Sequence, residues 1–429
     1  MTTFHLETYG RHNLADAEQM AGLLKEAQFE LAESVEKADI IIFNTCAIDA
    51  PAEDVFFTRL ETVKKEYPYK IIIIAGCLPQ ADPHKLKTYS LLGTWQIHHI
   101  VEVVEEALHN NIIHMLETGE MPPLNLPKIR QNPWVEIIPL SRGCLNVSPL
   151  SKTKPVREHL PSYPVSAIVE VAQKAVNEGV RQIWLTSQNT GSYGLDLGTD
   201  LASLVRELLQ IPGQFKIRLD PGQPGHIHKF YPELFPLLNH EKMFKFVHLP
   251  LQSGSNYILK TMRRGITAEE FLRMVQELRL AVPEVTLATD IMVGFPGETD
   301  EVHWQTINLL RKITPDVLNI SRYCPKQKIP AAKKPSLAIE LPLEIIQHRT
   351  KVLMDIFQSI SRMQNERWLG WEGEIIIDEK GIQPRQWLGR NSSYKPVLVA
   401  GKFKLGEVVN VKITKVTALE LWGEVLKNV

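Results

Sequence analysis

Cysteine is scarce in this chain. Its 429 residues hold four, Cys46, Cys77, Cys144 and Cys324, far apart and with no C-x-x-C pair. They are not the staples of a small disulfide scaffold. Long apolar runs are missing as well. The longest, such as Ile71 to Ala75, have the length of a buried strand, whereas a membrane span needs roughly 18 apolar residues. Charge of either sign is not in excess: 48 Lys and Arg face 49 Asp and Glu, a net −1. The chain as a whole therefore neither attracts nor repels a polyanion, and any polyanion site must be local. Met1-Thr2-Thr3-Phe4 lacks the basic-then-apolar pattern of a secretory signal, so the expected location is the cytoplasm, away from membranes. What is present is ordinary for a globular protein, 44% apolar and 23% charged residues, and enough chain for two or three domains.

The N-terminal part alternates strand and helix. Thr3 to Tyr9, Asp39 to Thr45 and Lys70 to Ala75 read as strands, with helices over Asn13 to Ala27 and Ala52 to Glu66. DIIIFNT and KIIIIA are continuous apolar runs, typical of strands covered on both faces. The pattern predicts a flavodoxin-like parallel sheet over residues 1–120. Each strand ends in a small-residue turn: Tyr9-Gly10, Thr45-Cys46 and Gly76-Cys77. Ligands of open parallel sheets sit at such carboxyl ends. Residues 121–132, rich in proline, read as a linker.

Six strand–helix units follow over 133–366, with strands at Val135 to Pro139, Gln182 to Thr186, Lys216 to Leu219, Lys245 to Leu249, Val285 to Val293 and Val317 to Ser321. They predict a full or partial β/α (TIM-type) barrel with its chemistry at the carboxyl ends of the strands. Leu341 to Asn365 reads as a helix. Over 367–429, Gly373 to Asp378, Tyr394 to Val399, Gly406 to Ile413 and Leu421 to Leu426 predict a small β-barrel.

A set of motifs in fixed order now carries a resemblance. They include Thr8-Tyr9-Gly10, Asn44-Thr45-Cys46-Ala47, Ala75-Gly76-Cys77-Leu78-Pro79-Gln80, Arg142-Gly143-Cys144-Leu145-Asn146 and Ser162-Tyr163-Pro164. Further on stand Thr186-Ser187-Gln188-Asn189-Thr190-Gly191, His248-Leu249-Pro250-Leu251-Gln252-Ser253-Gly254 and Asp290-Ile291-Met292-Val293-Gly294-Phe295-Pro296-Gly297. The chain resembles the tRNA methylthiotransferases, radical S-adenosylmethionine (SAM) proteins. The Gln188 and Ser162 motifs are closest to the archaeal and eukaryotic branch, which acts on threonylcarbamoyladenosine beside the tRNA anticodon. Gly389-Arg390-Asn391 with Tyr394-Lys395-Pro396 is similar to the family's C-terminal RNA-binding barrel, the TRAM domain. The resemblance implies SAM and two 4Fe–4S clusters as cofactors, and the anticodon arm of tRNA as partner.

It also implies ligand sets, which this sequence breaks. The family's C-x-x-x-C-x-x-C reads Cys144, Ser148, Ser151. A serine hydroxyl stays protonated near neutral pH and is a poor iron ligand beside a thiolate. Of the three N-terminal cysteines, Cys46 and Cys77 remain and Arg11 stands after Gly10 in place of the third. The metal candidates are thus Cys46, Cys77 and Cys144, a vestigial or partial set, and no catalytic residue is assigned. Two small thiols at buried strand ends also describe Cys46 and Cys77, and Cys324 has no ligand counterpart.

Gln188, His248, Gln252 and Asp290 stand at or just past barrel strand ends and are the candidates for the SAM pocket; capping of turns is the other role open to them. Lys152, Lys154, Arg263, Arg264, Arg390, Tyr394 and Lys395 are the candidates for RNA contact, combining charge with a stacking ring. The expected function is that of a tRNA-binding paralogue with lost or impaired cluster chemistry, which could work beside an active relative. Two other readings fit the same residues: an active methylthiotransferase with unusual Fe–S ligation, and a non-radical SAM- or nucleotide-binding protein on this scaffold.

Overall fold

A computed structural model describes residues 1–10, 13–47, 50–143, 160–323 and 341–426. The chain divides into two compact units, Met1–Ala172 with Thr186–Gln188, and Gln173–Leu185 with Asn189–Val429.

In the first unit, β1 (Thr3–Thr8), β2 (Glu30–Leu31), β3 (Ile40–Thr45), β4 (Ile71–Gly76), β5 (Ser90–Gly93) and β6 (His114–Met115) form one sheet in the order β2-β1-β3-β4-β5-β6. Every pairing is parallel. The unbroken run in β3 serves two cores. Ile40 and Ile42 pack with Leu24 and Val103 on one face, while Ile41 and Phe43 pack with Phe56 and Val63 on the other. Each such buried side chain contributes roughly 1.5–3 kcal/mol of transfer free energy. The sequence pattern does not predict β2, β5 and β6; two of them are two-residue strands, too short to carry a periodicity.

The proline-rich stretch 121–132, read as a linker, is packed against the first unit. Pro122 O accepts from the Tyr163 hydroxyl at 2.7 Å, Leu124 O from Gln19, and Ile129 N donates to Glu18 O at 2.9 Å. It lies flat on the helix Leu14–Glu26, where Gly22 leaves the space: a Cβ there would stand 2.3 Å from Lys128 N. Proline favours the extended conformation, and here that conformation is a packed strap. β7 (Val135–Pro139) follows, with the buried Glu136 paired to Lys128 and to Arg130 at 2.7 Å.

In the second unit, β8 (Gln182–Thr186) pairs in parallel with β9 (Lys216–Leu219). A bridge from Ile217 to Met243 leads on to β10 (Phe246–His248), and β11 (Thr286–Val293) and β12 (Val317–Arg322) continue in parallel. Every expected barrel strand is present within a residue or so. Helix starts follow their side chains: Thr267 and Glu270 form a reciprocal capping box before Ala268–Ala281, and Thr299 caps Asp300–Ile313.

The helix Leu343–Glu366 leads into β13 (Glu372–Lys380), β14 (Gln386–Arg390), β15 (Pro396–Ala400), β16 (Val408–Val416) and β17 (Leu421–Val425), closed as β13-β14-β15-β17-β16. The sequence pattern does not predict β14, whose five residues include Gly389 and carry no apolar alternation. The glycine is there because a Cβ would come within 2.7 Å of Ile375 Cδ1.

This barrel is fastened to the β/α strands by polar and aromatic groups. Lys395 Nζ stands 2.9 Å from Asp316 Oδ1, Gln182 donates to Asp378 at 2.5 Å, and the Tyr394 ring packs against Phe244 and Phe246. The expected boundary at 366–367 is therefore a change of architecture inside one compact unit. Among the described residues no helix is long and apolar enough to cross a membrane.

Candidate functional site

The strand ends of the first unit bring the N-terminal candidates together. Thr8 lies opposite Asn44, and Thr45 opposite Gly76. The next residues along, Gly10, Cys46 and Cys77, therefore follow three neighbouring strand ends. Gly10 has φ +87°, and a Cβ on it would sit 2.6 Å from Cys46 Cβ and 3.0 Å from its Sγ. Gly76, at φ +98°, would place a Cβ 2.3 Å from Thr45 O. Only glycine permits both the left-handed turn and the approach.

Behind the thiols is a buried amide pair. Asn13 donates to Thr45 O at 2.6 Å, Asn44 donates to Asn13 O at 2.8 Å, and the Cys77 thiol donates weakly to Asn13 Oδ1 at 3.9 Å. Cys46 and Cys77 are both buried and neither is in a disulfide. Arg11, Cys144, Ser148, Ser151, Lys152, Lys154 and Cys324 lie outside the described residues.

Among the described residues, no group of three or more His, Cys, Asp or Glu could hold a metal ion. In sequence, the set implied for the barrel cluster offers one thiol and two hydroxyls, and the set implied for the strand-end cluster two thiols and a guanidinium, each short of three thiolates.

The first unit holds a second polar cluster that sequence reasoning does not find. Arg142 is buried in a bidentate pair with Asp16, at 2.8 and 2.9 Å, and also donates to Thr94 O at 2.9 Å. The pair lines a cavity with Ser141, Gly143, Ser187 and the half-buried Gln188. The one available signal is an arginine directly before Gly143-Cys144, at a strand end.

In the second unit, His248, Gln252 and Asp290 do converge. His248 Nε2 is 2.7 Å from Asp290 Oδ1, and Asn319 donates to the same oxygen at 2.8 Å. His248 ends β10, Asp290 lies in the carboxyl half of β11, and Asn319 sits beside it on β12. Gln252 exchanges backbone hydrogen bonds with Asp290 and Met292 at φ +86°, unusual for a residue with a side chain. Its Oε1 is buried with no partner. Such an acceptor is costly in a fold and fits a donor from a ligand.

Asn189, His226 and Gln223 form a neighbouring cluster. The Asn189 amide nitrogen is 2.6 Å from His226 Nδ1, and its oxygen accepts from Gln223 N at 2.8 Å. Burial, with Lys229 and Arg264 nearby, holds His226 below the ordinary histidine range. The imidazole is therefore neutral at pH 7, with Nδ1 as acceptor and Nε2 as donor.

The RNA candidates separate. Arg263 is exposed, whereas Arg264 is half-buried with its guanidinium on Pro250 O. Arg390 is paired with Asp378 at 3.3 Å and stacks on Tyr394, whose ring also meets the Arg218 guanidinium at 5.2 Å. Lys395 is 3% exposed, and its ammonium neutralises Asp316 and donates to Asn365 at 2.9 Å. The three residues of this motif thus build the joint between the small barrel and the β/α strands, and Lys395 has no face toward solvent.

With the sites in place, comparison with known proteins identifies the class. Family models match residues 3–92 (uncharacterized protein family UPF0004), 143–310 (radical SAM superfamily) and 367–426 (TRAM domain). Among solved structures, a radical SAM methyltransferase, TsrM from Kitasatospora setae, superposes with a TM-score of 0.51 at 11% identity, over 75% of this chain and 72% of that one. At that identity the likeness is one of fold, a radical-SAM-type β/α barrel. Sequence relatives narrow it. The threonylcarbamoyladenosine tRNA methylthiotransferase of Danio rerio is 37% identical over 95% of this chain and 75% of its own length, and that of Homo sapiens 36% over 95% and 71%. A probable threonylcarbamoyladenosine tRNA methylthiotransferase of Pyrococcus abyssi is 34% identical over 99% of this chain and all of its own length. This chain belongs to the threonylcarbamoyladenosine tRNA methylthiotransferase family, and its role is in tRNA modification. SAM and iron–sulfur clusters are the cofactors that a radical SAM family implies.

Proposed function

We propose that this protein is a member of the family that binds tRNA at the anticodon arm but does not carry out the radical reaction. One observation carries the reading: Ser148 and Ser151 stand where the family's barrel cluster needs cysteines, and Arg11 stands where the strand-end cluster needs its third. Without these ligands the chain has no means of holding the electron donor that would cleave SAM. The retained scaffold would occupy, deliver or protect a tRNA for an active relative.

The barrel mouth supports a subordinate reading. His248, Gln252 and Asp290 are kept in a polar arrangement, and the partnerless Gln252 Oε1 suits a ligand donor. These residues would hold SAM or a related nucleotide without its reduction.

The test is iron and acid-labile sulfide per chain after anaerobic expression and reconstitution, with tRNA binding measured on the same sample. Negligible iron with specific tRNA binding is the expected result. About four irons per chain with 4Fe–4S absorbance would overturn it. Calorimetry with SAM then decides the mouth: a saturable signal lost in Gln252→Ala supports nucleotide binding there.

A further inference from the structure

The joint leaves the small barrel without the RNA contacts that its Arg390-to-Lys395 loop would have supplied. β14 runs from Gln386 to Arg390, and its far end enters that loop. The opposite end of the barrel is built from two other connections, 381–385 between β13 and β14, and 401–407 between β15 and β16. They are stitched together. Gly381 N donates to Gln386 O at 2.7 Å, closing the first, and Gly401 N donates to Arg385 O at 2.9 Å, tying the second onto it.

Four cations gather there: Lys380, Arg385, Lys402 and Lys404, all exposed. No ion pair engages any of them among the described residues, in contrast to Arg390, Lys395 and Lys412. Two carboxylates close by in sequence are engaged elsewhere, Glu379 with Arg390 and Glu407 with the backbone N of Lys404.

Two half-buried aromatic rings close the barrel core at this end, packed on it from the side the cations border. Trp387 is opposite Lys380 in the ladder, and Phe403 meets it edge-on at 6.4 Å. The Phe403 ring lies over Gly401, where a Cβ would come within 2.5 Å of it. Unpaired cations around partly exposed rings are the chemistry that grips a phosphate backbone while a base stacks.

We infer that this end of the barrel, centred on Arg385, Lys402 and Lys404 around Trp387 and Phe403, is the RNA-contact surface of the C-terminal module, and that it takes a segment with unpaired bases. The inference rests on the tRNA-binding reading above.

The experiment measures fluorescence anisotropy of the full chain with labelled bulk tRNA, an RNA hairpin and its fully paired duplex. Three proteins are compared: the wild type, Arg385→Glu/Lys402→Glu/Lys404→Glu, and Lys412→Glu/Lys415→Glu as a charge-reversal control on the same barrel. The patch variant is expected to lose tenfold or more in tRNA affinity at moderate salt. Its log–log salt slope should be shallower by about 2–3, for three lost phosphate contacts. The control should stay within about twofold, and the hairpin should outcompete the duplex. Alanine versions of the patch variant, checked by thermal melting, cover the case of a misfolded triple. Wild-type binding untouched in the patch variant, or reduced equally in the control, overturns the inference and leaves the tRNA reading standing. No tRNA binding by the wild type overturns the reading itself.

Discussion

Lys395→Met removes a charge from the interior of the second unit, and the geometry sets its cost. Lys395 Nζ is 2.9 Å from Asp316 Oδ1 and 2.9 Å from Asn365 Oδ1, and both charged residues are under 5% exposed. Burial holds the ammonium below the ordinary lysine range although Asp316 pulls the other way. Breaking one side of a buried pair strands the other charge, at about 3–5 kcal/mol. Asp316 keeps two partners, Leu287 N at 3.0 Å and Arg367 at 3.5 Å, so the lower end applies, about 3 kcal/mol. For a domain of this size that is a fall in Tm of roughly 6–12 °C. Adding Asp316→Asn neutralises the stranded carboxylate and should recover most of the loss. The assay is thermal and urea denaturation, paired with tRNA affinity of the folded fraction. The double variant should regain stability, and each variant should bind tRNA within about twofold of wild type. A Lys395→Met protein as stable as wild type but weak in tRNA binding would refute the reasoning and return Lys395 to the RNA surface.

That residue also shows where reading the sequence stops. The alternation of continuous apolar runs with helical patterns locates the parallel strands closely, because a strand buried on two faces must be apolar at every position. Cys46 and Cys77 are legible at strand ends for the same reason: strand register puts their neighbours Thr45 and Gly76 opposite each other. His248, Gln252 and Asp290 are legible as a set because barrel strand ends converge. Charge is not legible in the same way. Lys395 and Arg390 look like Lys402 and Arg385 in sequence, and only packing tells that the first pair neutralises Asp316 and Asp378 while the second meets no carboxylate among the described residues. The Asp16–Arg142 pair spans 126 positions, and no local pattern could join them. Proline content marks the linker as extended but does not tell that it packs as a strap, which Gly22 and the hydrogen bonds of Pro122, Leu124 and Ile129 bring about.

Three further outcomes are expected. Ser148→Cys/Ser151→Cys should raise bound iron after reconstitution to about four per chain, read by absorbance and iron assay; no gain would mean that the barrel site lost more than its ligands. Gln252→Gly should stabilise the unit by roughly 0.5–1 kcal/mol, by relieving the left-handed backbone at φ +86°, while abolishing any nucleotide binding at the mouth; a lower urea midpoint would contradict this. The third is a pH effect in the strap of the first unit. Glu18 is buried, accepts from Gln131 N at 2.9 Å, and has a second oxygen without a partner. Burial pushes its carboxyl up to about 7, against the pull of the Gln131 N–H and Lys128. The folded state therefore holds this proton more tightly than the unfolded state, whose carboxyl titrates near 4.5. Between those values the native form carries the extra proton, so stability falls as pH rises through the window and is level above it. The full shift bounds the loss at about 3 kcal/mol. Glu18→Gln is neutral throughout and keeps an acceptor for Gln131. Urea midpoints at pH 5 and pH 8 should fall between the two for the wild type and fall by less in the variant, the difference between the proteins isolating this one group. Parallel pH profiles would show that Glu18 is ionised in the fold, with Lys128 as its counter-ion.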